Sequence, residues 1–155
     1  MIFYRIIKLV KKMKFELLED IRKDKNLNQL EIAELINVKQ PTYSAWENGT
    51  KIIPLKHLNT IANYYNVSLD YLTNLSMQNE KTNKIKNLDK KLIGNNLKKF
   101  RHNNNITQVE LAKILNTTHS TLSAYESGKT LILTAFAYQI CKSYKISLDW
   151  LCGRK

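Results

Sequence analysis

This chain of 155 residues has little of what builds tight loops, disulfides and metal sites: four glycines, two prolines, two cysteines and three histidines. Four glycines leave little room for a glycine-rich phosphate loop, and no nucleophile–base pairing is visible, so we do not expect an enzyme. The cysteines and the scattered histidines lack zinc-type spacing, so we predict no metal and no cofactor.

Long uninterrupted apolar runs are also missing. Residues 1–14 are rich in Ile, Phe, Leu and Val, but five basic residues interrupt them, which excludes a membrane span or a secretory signal. We interpret this stretch as a basic extension, either a disordered leader with Met13 as a second possible start, which we favour, or an arm that binds DNA or a membrane surface. Cys141 lies on a predicted core face, which indicates a small buried hydrophobe in a reducing, cytoplasmic compartment.

Acidic residues are only about half as frequent as basic ones. The chain has 13 Asp and Glu against 25 Lys and Arg, a net charge of +12. This excess indicates a polyanionic partner, nucleic acid before a membrane surface. The charge is uneven, because residues 15–75 carry six basic and eight acidic side chains and residues 90–155 carry eleven and three.

What the chain does contain is a repeat of itself. Displaced by 79 positions, residues 18–72 align with residues 97–151 without a gap and with 19 identities over 55 positions. A fixed-period match means one structural unit used twice. The chain therefore divides into a basic extension at 1–14, a first domain at 15–75, a polar linker at 76–88 and a second domain at 89–155.

Apolar residues recur at helical spacing in both units, which predicts an all-α fold with five helices in each. Asn28 and Thr107 each stand three residues before a glutamate, the spacing of a capping box at the start of helix two. Asn37 and Asn116 favour a left-handed turn after that helix. The third helix then runs from about residue 40 to 48, and from about 119 to 127.

The third helix has an exposed face of small and polar side chains in both units. Such a face lets a helix enter the major groove and read base edges. It consists of Lys39, Gln40, Pro41, Thr42 and Ala45 in the first unit, and of Thr118, His119, Ser120, Thr121 and Ala124 in the second.

Three motifs together resemble one known family. They are Asn28-Gln29-x-Glu31-Ile32-Ala33, Gln40-Pro41-Thr42-Tyr43-Ser44-x-Trp46-Glu47-Asn48-Gly49 and Val67-Ser68-Leu69-Asp70-Tyr71-Leu72. This combination resembles the phage-repressor-like (lambda-repressor-like, Cro and Xre type) helix-turn-helix domain, and the second unit repeats it. The resemblance implies two tandem five-helix DNA-binding domains whose third helices enter the major groove.

The resemblance also implies roles for individual residues. Gln29 and Gln108 begin helix two, where free N–H groups favour a phosphate. Gln40 could bind adenine bidentately, and His119 could donate to guanine. Thr42, Thr121, Ala45 and Ala124 could touch thymine methyls or phosphates. The flanking Asn48, Ser127, Lys51 and Lys129 suit phosphate contacts, which position a protein without specifying sequence.

Members of this family tend to pair an arginine of helix one with the glutamate before the Asn-Gly. Arg22 with Glu47, and Arg101 with Glu126, have this arrangement. We therefore predict two partly buried structural ion pairs.

These observations predict a DNA-binding transcriptional regulator, a repressor associated with the nucleoid, that docks two units in successive major grooves, within one chain or a dimer. A tandem chain could read a direct repeat. As flexible coil the linker would span roughly 20 Å on average and roughly 40 Å extended, against about 34 Å between half-sites. In the alternative, antitoxin-like role, the second unit binds DNA and the acidic first unit forms a homodimer or contacts a partner protein.

Overall fold

The structure of the protein is a computed structural model, and residues 13–155 are described. The interpretations of residues 1–12 as leader or basic arm lie outside the described residues. All regular structure within residues 13–155 is helical. The predicted all-α class is therefore confirmed.

The first unit has five helices. They are α1 (Leu17–Asp24), α2 (Gln29–Leu35), α3 (Gln40–Glu47), α4 (Leu55–Tyr65) and α5 (Leu69–Leu72). The second unit repeats this order with α6 (Lys90–Asn103), α7 (Gln108–Ile114), α8 (His119–Glu126), α9 (Thr134–Tyr144) and α10 (Leu148–Leu151). The two tandem five-helix units are as predicted.

Local sequence signals set the helix ends. Both predicted capping boxes form: the Asn28 side chain accepts from the N–H of Glu31 at 3.0 Å, and Thr107 accepts from the N–H of Glu110 at 3.2 Å. Asn37 and Asn116 have φ angles of 56° and 52°. The predicted left-handed turns after α2 and α7 are therefore confirmed.

The ends of α4 and α9 differ between the two units. Asn66 follows α4 with φ 57°, whereas its counterpart Lys145 follows α9 with φ 54°. The left-handed conformation is tolerated by Asn but costs a residue with a long side chain about 1–2 kcal/mol. The second unit therefore holds a strained residue where the first does not.

Each unit encloses its own apolar core. Leu18, Tyr43 and Leu58 are fully buried in the first unit. The corresponding core of the second unit includes Leu97, and Cys141 is 1% exposed, as its position predicts.

The segment between the units is held in place. The carbonyl of Ile85 accepts from the side-chain amides of Asn59 at 2.7 Å and Asn63 at 2.8 Å, and the N–H of Asn83 donates to the carbonyl of Arg154 at 2.9 Å. The expectation that residues 76–88 form flexible coil does not hold, because their polar groups bond to both units.

The units also contact one another directly. The ring of Phe15 meets Tyr138 edge to face with centroids 5.5 Å apart, and the hydroxyl of Thr134 donates to the carbonyl of Ile53 at 2.6 Å. Residues 131–138 are more apolar than their counterparts in the first unit. The contacts explain part of this difference, because Thr134 and Tyr138 face the first unit.

Candidate nucleic-acid interface

The helix-turn-helix of each unit is fixed by its backbone. The turn between α2 and α3 closes with a hydrogen bond from the N–H of Val38 to the carbonyl of Ala33 at 2.9 Å. In the second unit the N–H of Thr117 donates to the carbonyl of Ala112, also at 2.9 Å. The turns that precede the third helices α3 and α8 are therefore closed by the same backbone hydrogen bond.

The inner face of each third helix is apolar and buried. Tyr43 and Leu122 are 0% exposed, and Trp46 and Tyr125 are 5% exposed. The helices therefore turn their small polar side chains outward.

The structure places the predicted DNA-contacting side chains on or beside that outer face. Those that are exposed are Lys39, Pro41, Asn48 and Lys51 in the first unit, and Thr118, His119, Ser120, Ser127 and Lys129 in the second. Those that are partly buried are Gln29, Gln40, Thr42, Ala45, Gln108, Thr121 and Ala124. None of these side chains is fully buried.

A buried ion pair anchors the C-terminal end of each third helix. Arg22 donates to the Glu47 carboxylate through Nε at 2.8 Å and through Nη2 at 2.7 Å, and its Nη1 donates to the carbonyl of Leu27 at 2.6 Å. Arg101 holds Glu126 in the same fork, at 2.6 and 3.0 Å. The two arginines and two glutamates are all less than 9% exposed.

These pairs keep the two glutamates ionised. Burial by itself would raise the pKa of Glu47, but hydrogen bonds from Arg22 and Gln29 outweigh it and hold that pKa below 4.5. At Glu126, burial would likewise raise the pKa, but hydrogen bonds from Arg101 and Gln108 outweigh it, so the pKa is again lowered. The carboxylates therefore remain fixed acceptors for the glutamines that begin α2 and α7.

Those glutamines link the ion pairs to the outer surface. Gln29 Nε2 donates to Glu47 at 3.1 Å, and Gln108 Nε2 donates to Glu126 at 2.7 Å. A side-chain amide has two N–H groups, so each glutamine keeps one for another acceptor. Sequence reasoning assigned both residues to phosphates, and the structure adds an inward hydrogen bond that fixes their orientation.

The first unit extends this network onto its third helix. Gln40 Nε2 donates to Gln29 Oε1 at 2.9 Å, so the amide of Gln40 is oriented before any ligand arrives. Its Oε1 and second N–H are still available, which is what bidentate binding of adenine requires. His119 occupies the equivalent position in the second unit and is exposed. The two units thus present chemically different groups at this point.

Three lysines that were not among the predicted contacts of the helix-turn-helix lie beside the ends of the third helices; Lys14 was assigned only to the basic extension. Lys90 Nζ donates to the carbonyl of Lys129 at 3.4 Å, and a Cβ on Gly128 would lie 2.8 Å from the Cα of Lys91. In the first unit a Cβ on Gly49 would lie 2.9 Å from the Cβ of Lys14. The glycine that follows the third helix in both units was the one signal in the sequence that could have indicated a close backbone approach. It did not indicate that the approaching segments carry basic residues.

The local charge of the third helices differs from the net charge of the units. Between residues 39 and 51 the charged side chains are Lys39, Glu47 and Lys51, and Glu47 is buried against Arg22. The exposed charges there are positive, although residues 15–75 are acidic overall. In residues 118–130 the exposed charge is Lys129, because Glu126 is buried. Neither surface would repel a phosphate backbone.

Two further features bear on the class of site. Within residues 13–155, no group of three or more His, Cys, Asp or Glu is placed to hold a metal ion. The longest helix in that range, α6, has 14 residues, and no helix there combines the length and apolarity needed to cross a bilayer.

Comparison with known families defines the class. Residues 18–72 match the family described as "Helix-turn-helix", and residues 94–154 match the one described as "Helix-turn-helix domain". The chain therefore carries two helix-turn-helix domains of the Cro and Xre type in tandem.

Curated relatives are similar over part of their length. The antitoxin PezA of Streptococcus pneumoniae serotype 4 is 34% identical over 62 residues, which is 40% of this chain and 39% of that protein. An uncharacterized HTH-type transcriptional regulator of Bacillus subtilis, YqaE, is 40% identical over 57 residues, 37% of this chain and 49% of that protein. The matches thus span less than half the length of either relative.

Proposed function

We propose that this chain is a sequence-specific DNA-binding transcriptional regulator, a repressor, that reads the major groove with α3 and α8. The observation that carries the proposal is the pair of outward-facing polar helices, each fixed at its end by a buried Arg–Glu pair. The family matches support it, as does the local positive charge of both faces. The role is non-enzymatic and needs no cofactor, and the protein would act in the cytoplasm at the nucleoid.

In this proposal the first turn of each third helix reads bases. Gln40 binds the N6 and N7 edge of adenine, and His119 donates to an acceptor of guanine. Thr42 and Ala45, with their counterparts Thr121 and Ala124, contact thymine methyls or nearby phosphates. The two units therefore have related but unequal preferences.

Phosphate contacts surround these positions. The free N–H groups of Gln29 and Gln108 lie at helix N-termini, where a phosphate is favoured. The exposed lysines supply the charge, since affinity for DNA depends largely on neutralising phosphates. The residues proposed for this role are Lys39, Asn48, Lys51, Ser127 and Lys129, joined by Lys14, Lys90 and Lys91.

Selection of bound DNA from a random pool by the full-length protein tests the proposal. The selected sites are then compared with those of Gln40→Ala and His119→Ala. Each variant should relax the preference of one half of the site, by about 1–3 kcal/mol if the lost contact is bidentate. A pool that yields no enriched sequence at low salt contradicts sequence-specific binding. Unchanged preference after His119→Ala removes that residue from the base-reading set.

Phosphate contacts have a different signature. Lys129→Ala should weaken binding to all sequences equally and reduce the slope of log affinity against log salt by about one. Lys142→Ala is the matched control, because that lysine of α9 lies over the ring of Tyr138. Equal slopes for the two variants would contradict a phosphate contact by Lys129.

A second candidate function is an antitoxin-like regulator, in which α8 binds DNA and the first unit binds a partner protein. One relative is named an antitoxin, and the first unit exposes acidic residues at Glu16, Asp20 and Asp24. Gln40→Ala separates the two candidates in the intact chain. Under this second candidate it leaves the selected DNA sequence unchanged, and under the first it does not.

A further inference from the structure

The two short helices α5 and α10 cap one another across the boundary between the units. The Asp149 carboxylate accepts from the N–H groups of Leu69 at 3.0 Å and Asp70 at 2.8 Å, at the start of α5. In return, the Asp70 carboxylate accepts from the N–H of Leu148 at 2.6 Å, at the start of α10. Asp70 and Asp149 occupy the same position in the repeat, so equivalent residues exchange equivalent contacts.

The C-terminal end of each unit also lies beside the other unit. Arg154, which closes the second unit, donates to the side chains of Asn59 at 2.6 Å and Asn63 at 2.7 Å, both on α4 of the first unit. Its counterpart in the repeat, Leu75, lines a cavity of about 590 Å³ with Tyr138 and Lys142 of α9. Tyr138 and Lys142 are the counterparts of Asn59 and Asn63. The end of each unit therefore faces helix four of the other, through hydrogen bonds in the case of Arg154 and across a cavity in the case of Leu75.

Exchange of this kind has one geometric meaning. When residue i of one copy contacts residue j of the other, and j of the first contacts i of the second, the copies are related by a two-fold axis. Copies related by translation, as on a direct repeat, would use two different surfaces instead. The units of this chain are thus arranged like the subunits of a two-fold dimer.

The arrangement is held too firmly for the units to reorient freely. Arg154 is 1% exposed and pairs with Asp149, which is 0% exposed, at 2.9 Å. The same guanidinium reaches Thr82 of the connecting segment at 3.2 Å, and Asn83 donates to the Arg154 carbonyl. Separating the units would break the hydrogen bonds of Arg154 to Asn59 and Asn63, together with those that the Asp70 and Asp149 carboxylates accept from N–H groups of the other unit.

We propose that one chain acts as its own dimer and reads one inverted pair of unlike half-sites. The inference rests on the proposed DNA-binding function and names the DNA architecture that it requires. Operator symmetry mirrors protein symmetry, so heads related by a two-fold axis dock on inverted half-sites and not on direct repeats. Since Gln40 and His119 differ, the half-sites differ, and the chain binds in one orientation.

The test uses the wild-type chain and four duplexes built from the selected sequences. One carries both half-sites inverted, one carries the same halves as a direct repeat at equal spacing, and two carry single halves. Two heads docking together gain about 100- to 10,000-fold over one head. The inverted duplex should therefore bind tighter by this factor than the other three, which should bind alike, with one chain per duplex at saturation.

The outcomes separate the two claims. Equal or tighter binding to the direct repeat overturns the two-fold inference and leaves the proposed function intact. Two chains on one inverted duplex overturn the claim that a single chain fills the site. Enrichment of only one half-site in the pool likewise overturns the inference. Absence of any sequence preference contradicts the proposed function itself.

Discussion

Removal of Glu126 should destabilise the protein severely. Its carboxylate is 6% exposed and accepts two hydrogen bonds from Arg101 and one from Gln108. Arg101 is 8% exposed and also donates to the carbonyl of Ile106 at 3.0 Å, so Glu126→Ala would leave a largely buried guanidinium without its charged partner. Deleting one partner of a buried ion pair costs about 3–5 kcal/mol. At about 2–4 °C per kcal/mol for a chain of this size, Tm should fall by roughly 6–20 °C.

Thermal and urea unfolding followed by circular dichroism measure the effect. Glu110→Ala is the matched control, because Glu110 is also a glutamate with hydrogen bonds in the second unit but is exposed. Its Tm should fall by much less. The double variant R101M/E126L should regain most of the loss, since apolar residues of similar volume often replace a buried pair at little cost. Equal, small shifts for Glu126→Ala and Glu110→Ala would refute the reasoning.

The stability that Glu126→Ala loses should also depend on pH. Burial raises the pKa of Glu126, but hydrogen bonds from Arg101 and Gln108 outweigh it, and the folded-state pKa lies below 4.5. A lowered pKa contributes stability above the unfolded-state value and loses it as the pH falls through the folded-state value. The gap in unfolding free energy between wild type and Glu126→Ala should therefore be full at neutral pH and narrow below about pH 4.5. A gap independent of pH would indicate that the ion pair is not its cause.

Three further changes test the packing. Gly94→Ala should cost about 1–3 kcal/mol by overpacking, because its Cβ would lie 2.5 Å from the carbonyl oxygen of Tyr125; an unchanged Tm contradicts this contact. Lys145→Asn should raise Tm and the reciprocal Asn66→Lys should lower it, since only asparagine suits the left-handed conformation; shifts of the same sign would exclude this cause. Burial raises the pKa of Asp70 above 3.8, so its contribution to stability is lost as the pH rises. Urea unfolding from about pH 4 to about pH 7 should therefore show wild type losing stability relative to Asp70→Asn, and a constant difference would contradict this.

Local signals predicted most of each unit. Capping boxes and asparagine turns involve residues within a few positions of one another, so their spacing is visible in the sequence. The ion pairs join residues 25 positions apart, and they were predictable because the family pattern pairs those positions. The structure forms both of them. The assignment of particular side chains to bases and phosphates stays a prediction.

The relation between the units was not predictable by these means. Asp70 and Asp149 each follow a serine cap, so a local interpretation assigns them to the first turn of their own helix. Across the boundary between the units they accept from groups 77 to 80 positions away in sequence, and Asp149 also accepts from Arg154, five positions away. Arg154 lies one residue from the last position and would be taken for a solvated base, yet it is among the largest fully buried side chains. The polar segment between the units was predicted to be flexible coil for the same reason: its hydrogen-bond partners lie on both units, far away in sequence.

The two-fold relation gives one identity of the repeat a physical reason. Asp70 and Asp149 each cap the short helix of the other unit, so the same side chain serves in both copies, whereas two heads on unlike half-sites need not be identical. The third helices differ most in their first turn, where Lys39-Gln40-Pro41 corresponds to Thr118-His119-Ser120, and they agree at the following threonine and alanine. The selected half-sites should therefore share the bases that face Thr42 and Ala45 and differ at those that face residues 39–41. Half-sites with identical sequences would contradict base reading by the first turn, because a Gln and a His present different hydrogen-bonding groups to a base edge.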